Sequence, residues 1–158
     1  MNATPDESGD QATLALTRLT GLRQDAAAVY ASITAAEDTL RTLAGQRVSA
    51  ERSLRAALHR HGAAVKDLEA HARAKPRLRV QLSSRFGAGR EWHARQDELE
   101  AALRDRAVPV DAAQRELAQV QAQFAEAVHA RQDAAATLRR LTAECAEAQE
   151  EIARARQR

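Results

Sequence analysis

Between His71 and Arg95 the chain gathers most of the side chains with distinctive chemistry. Seven cations fall there (Arg73, Lys75, Arg77, Arg79, Arg85, Arg90 and Arg95), together with Phe86, Trp92, His71 and His93. Glu91 is the one acid in the stretch, so its local balance is +6 in a chain whose total is only +2, and the rest must carry −4. Regional asymmetry of this kind says more about partners than the net charge does. Three chemistries use the same residues. Arg73, Lys75, Arg77, Arg79, Arg85 and Arg90 can contact phosphates while Phe86 and Trp92 stack on bases. The same mixture can lie on an anionic membrane, with Trp92 at headgroup level. It can also dock on an acidic protein surface. No base-reading element accompanies it.

Catalytic and metal chemistry find little support. Gly87-Ala88-Gly89 lacks the Lys-Ser/Thr that follows a phosphate-cradling loop. No G-x-S-x-G elbow is present. His59 and His61 are two residues apart, which puts them on different sides of a helix. Doubling back of the chain would bring His71 and His93 together, but two imidazoles without a nearby Cys or acid make a poor zinc site. The carboxylates fall on solvent-facing helical positions. Two helices hardly form the concave, water-excluding site that catalysis needs. No enzyme, cofactor, metal or small-molecule substrate is expected.

The elements that position this stretch are legible from periodicity. An Ala-, Leu-, Arg- and Glu-dominated chain with only four aromatic residues points to long helices rather than a broad core. Before the stretch a seam runs Leu19, Leu22, Ala26, Val29, Ile33, Ala36, Leu40, Leu43, Arg47, Ala50, Leu54, Ala57, His61, Ala64, Leu68, His71. After it a second runs Trp92, Gln96, Leu99, Leu103, Arg106, Val110, Ala113, Leu117, Val120, Phe124, Ala127, Arg131, Ala134, Leu138, Leu141, Cys145, Ala148, Ile152, Ala155. Steps of three and four alternate without a slip, the mark of a coiled-coil face. Folding about residue 82 brings seam to seam, at residue numbers summing to about 164: Ala26 with Leu138, Leu40 with Phe124, Leu54 with Val110.

The expected fold is therefore all-α, a long antiparallel coiled-coil hairpin with a short basic tip. Residues 1–10 read as a disordered acidic N-terminus, 11–72 as the first arm, 73–90 as the tip and 91–158 as the second arm. Pro109 lies inside that second arm and predicts a kink there, since proline removes one helical hydrogen bond. At the tip, Pro76 can open a short helix carrying Leu78, Leu82 and Phe86, with Gly87 ending it. The alternation from Arg77 to Leu82 also fits a strand, but a lone strand has no partner, so the helix is preferred. Leu78, Leu82, Phe86 and Trp92 then form either a cap on the hairpin or part of a contact surface.

The seam's arginines have two readings. Arg47 and Arg131 either reach out of a narrow seam or fix register at a cost in stability, with Glu116 and Glu37 in range as partners. Val48, Leu58 and Val65 lie off the seam, so self-association or a partner's helices along the arms is expected. One cysteine excludes an internal disulfide. No secretory signal and no apolar run of spanning length is visible. A cytoplasmic, and from its Arg- and Ala-rich composition bacterial, protein follows. The expected function is a non-enzymatic coiled-coil scaffold or spacer that contacts a partner through its basic tip. The alternatives are a nucleic-acid-binding arm and, second, attachment to an anionic membrane surface. In architecture alone the pattern resembles both the tRNA-contacting arm of seryl-tRNA synthetases and the arms of chromosome-structuring ATPases, and it points to no one family.

Overall fold

The computed structural model describes residues 5–75 and 87–157. Two helices, α1 (Pro5–Arg73) and α2 (Gly87–Arg156), account for nearly all of them and pack against each other as an all-α helical hairpin. No strand occurs among the described residues. Unit 1 joins residues 1–43 to 123–158, and unit 2 comprises residues 44–122.

The helix ends have local causes. α1 stops at Arg73 because Pro76 lacks an N–H and biases Lys75 away from the helical region. Its last turn tightens, with the Ala74 N–H donating to the carbonyls of Ala70 and His71 and the Lys75 N–H to that of Ala72. At the other end α1 already includes residues 5–10, which the sequence places in a disordered lead. α2 opens at Gly87, earlier than the arm boundary at 91. Gly87 thus lies in the first turn of a helix. The N–H groups of a first turn have no helical partner in any case, so glycine gives up little there. Neither Gly87 nor Gly89 adopts a left-handed φ. α2 also runs through Pro109 without a break. The proposed tip helix from Pro76 to Phe86 lies outside the described residues.

The seam emerges as read. Every seam position is buried or half-buried except Arg47, Arg106 and Arg131, whose side chains reach solvent. In unit 1, Ala15 and Leu19 pack with Ala148 and Ile152, and Leu22 and Cys145 lie against them. Small and large residues alternate across this cluster, as close antiparallel packing requires. In unit 1 the register differs from the expected sum of 164, whereas in unit 2 His71 meets Trp92 at a sum of 163. Arg18 bridges Glu151 at 3.3 Å and Arg131 bridges Glu37 at 2.8 Å, pairs whose numbers add to 169 and 168. That is one seam step away. Steps of three and four offer nearly equivalent apolar layers, so hydrophobic pattern alone does not choose between adjacent ones, and flanking charges help to decide.

Unit 2 packs differently. Its buried residues from α1 are Ala50, Ala57 and Ala64; from α2 they are Val110, Ala113 and Val120. Alanine at every seventh position of α1 favours close approach but buries little area per layer.

Candidate functional site: the basic hairpin end

Where the last turn of α1 meets the first turns of α2, within unit 2, His71 and Trp92 clasp each other. The imidazole stacks on the indole with ring centroids 4.9 Å apart and planes 14° from parallel. The Trp92 Nε1–H donates to the His71 carbonyl oxygen at 3.3 Å. In return His71 Nε2 lies 3.0 Å from the Trp92 carbonyl oxygen. A carbonyl only accepts, so the proton of this bond must sit on Nε2. Each residue therefore offers its ring to the other's ring and its N–H to the other's backbone.

The clasp continues outward. Lys75 holds its Nζ 5.5 Å from the centroid of the Trp92 ring, within cation–π range. His93 meets the same indole edge-on at 5.0 Å. Stacking beyond simple area burial contributes about 0.5–1.5 kcal/mol, and each hydrogen bond a net of about 1 kcal/mol. Together these contacts tie the end of one helix to the start of the next at the base of the basic segment.

The cations divide into those the fold places and those it leaves outside the described residues. Arg73 and Lys75 stand exposed at the close of α1. Arg90 and Arg95 stand exposed at the opening of α2, Arg95 paired with Glu98 at 2.8 Å. Arg77, Arg79, Arg85 and Phe86 fall outside the described residues. Opposed helix ends meet here, the negative pole of α1 and the positive pole of α2. Their macrodipoles offset each other, and the local potential comes from the side chains.

Trp92 is the residue whose setting most sharpens the sequence reading. Doubling back does bring His71 next to residues 92 and 93, but as a stacked clasp rather than a metal pair. No group of three or more metal-ligating side chains exists among the described residues. The clasp itself was missed, although both residues lie on the seams; their common seam position and opposite arms were the available signal. Gln96 was also passed over as an ordinary seam member. Its Nε2 donates to Glu100 Oε1 at 2.9 Å, while its own Oε1 is buried without a hydrogen bond.

The seam arginines reach outward, and Arg47 and Arg131 pair. Arg131 directs Nε and Nη2 onto one oxygen of Glu37, as the sequence anticipates. Arg47 bridges Glu51 along its own helix at 3.4 Å. No described helix is long and apolar enough to cross a membrane. No family model, curated protein or solved structure matches this chain.

Proposed function

We propose that this chain is a non-enzymatic coiled-coil interaction module whose basic hairpin end contacts an acidic protein partner. The observation that carries this reading is the joining of charge and anchorage. The +6 segment is flanked by a clasp that ties its two ends, while the remainder of the chain sums to −4. A charged segment with its ends tied together presents its cations at a lower ordering cost than one with free ends. The arms serve as the spacer that carries this end. With its single, half-buried cysteine in the unit 1 cluster, the molecule suits a reducing cytoplasm, and its Arg-rich composition suits a bacterial one.

Protein docking is favoured over base stacking by the state of Trp92. Its ring already stacks on His71 and lies in reach of Lys75, so it is a weaker platform for a nucleobase than an unengaged indole. A photocrosslinker at Arg73, introduced in the native host, is expected to capture a protein with an acidic patch, and the Arg77→Glu/Arg79→Glu variant should lose it. Titration against duplex DNA and anionic vesicles at two salt concentrations separates the other chemistries. DNA binding with a log–log salt slope near −0.9 per phosphate contacted, without protein capture, would replace this reading. Undiminished capture by the charge-reversed variant would move recognition to the arms.

A further inference from the structure

The seam leaves a second set of apolar side chains on α1 exposed among the described residues. Beside it, residues recur every seven positions and form a flanking row. In unit 1 this row reads Leu16, Arg23, Tyr30, Glu37, with Leu16 44% and Tyr30 64% exposed. In unit 2 it reads Ala44, Glu51, Leu58, with Leu58 46% exposed. Run in opposite directions about Glu37, Leu16 meets Leu58, Arg23 meets Glu51, and the large Tyr30 meets the small Ala44, while Glu37, already bridged by Arg131, falls opposite its own copy.

Both rows belong to one continuous helix, so neither can cover the other in the same chain. We propose that a second copy of this chain does, with the unit 1 row of one molecule lying antiparallel on the unit 2 row of the other. Charge selects this direction. Arg23 makes no ion pair with any described residue, and Glu51 holds Arg47 and Arg55 at only 3.4 and 3.6 Å. A parallel pairing would set Arg23, Glu37 and Glu51 each against its own copy, whereas the antiparallel one does so only at the Arg131-bridged Glu37, and like charges directly opposed are unfavourable.

Surface area supports a further layer of packing. The chain exposes 11864 Å², whereas a compact chain of 17.2 kDa exposes about 7,800 Å². The excess is several times the roughly 800 Å² that each partner gives up in an interface of standard size. The near-neutral total charge of +2 sets no strong repulsion between copies. Leu16, Tyr30 and Leu58 supply the burial, and Arg23 with Glu51 sets the direction. This surface is independent of whatever the basic end contacts.

The test is sedimentation equilibrium of the full chain over a concentration series. Association into assemblies of at least twice 17.2 kDa is expected, weakened about tenfold or more by Leu58→Glu or Leu16→Glu. Val108→Glu, at an exposed apolar residue outside both rows, should leave it unchanged, with helicity by circular dichroism checked for every variant. Direction is read by disulfide trapping in a Cys145→Ala background. A mixture of Leu16→Cys and Leu58→Cys chains should form a mixed disulfide, and Leu58→Cys alone should not. A monomer at every concentration, association indifferent to both glutamates, or trapping of Leu58→Cys with itself would each overturn the proposal.

Discussion

The two units solve the same packing problem with different side chains. Unit 1 buries Leu19, Leu43, Leu141 and Ile152, with Ala15 and Ala148 filling the gaps. Unit 2 buries alanines from α1 and nothing larger than valine from α2. Its seam also holds Arg47, His61, His71, Gln96 and Arg106, where the described seam of unit 1 has Arg131 as its one charged member. Aliphatic burial stabilises a layer at roughly 25 cal/mol per Å², so the fully buried layers of unit 1 hold more packing energy than those of unit 2. Unit 2 compensates at its far end with directional contacts, the His71–Trp92 clasp. That clasp adds directional contacts to the smaller fully buried side chains of unit 2, and it sits beside the segment proposed to do the binding.

The largest effect should come from the apolar half. Leu141→Ala is expected to lower stability by about 3 kcal/mol, the usual loss for a buried leucine, read by urea unfolding. A loss no greater than the roughly 1 kcal/mol expected for Ala57→Gly in unit 2 would erase the distinction between the halves. Next in size, His71→Ala removes the stack and one cross-helix hydrogen bond, for about 2 kcal/mol. Hydrogen exchange should show that loss in the last turns of α1 and first turns of α2, with protection in unit 1 retained. His71→Phe keeps the stack and should recover part of it. Loss spread evenly over both units would mean that the clasp is not a local device. Smallest, and opposite in sign, Gln96→Leu removes a buried carbonyl that has no hydrogen bond and should raise stability by about 1 kcal/mol. A decrease would show that this amide has a partner that the static arrangement conceals.

Much of the architecture was legible because a coiled-coil seam repeats its signal many times. A single misread residue among the seam positions changes nothing, and the positions from Leu19 to His71 and from Trp92 to Ala155 turned inward almost without exception. The Arg131–Glu37 pair was legible for a related reason: a charge on a seam must reach out, and few acids lie within its radius. The register was less accessible, since layers three or four residues apart present nearly the same apolar faces. The basic end was legible only as composition. Charge and aromatic content mark it, but the pairing of His71 with Trp92 depends on where two distant helix ends stop.

From its residues alone the chain determined that it would be helical, that two stripes would face each other and that its positive charge would gather between them. Those properties follow from spacing and composition, which act locally and add up along the chain. Tertiary structure decided which layers meet, that Gly87 opens α2, and that a histidine and a tryptophan close the hairpin. These depend on contacts between residues far apart in sequence, where several arrangements of similar apolar burial compete and a few polar groups select among them.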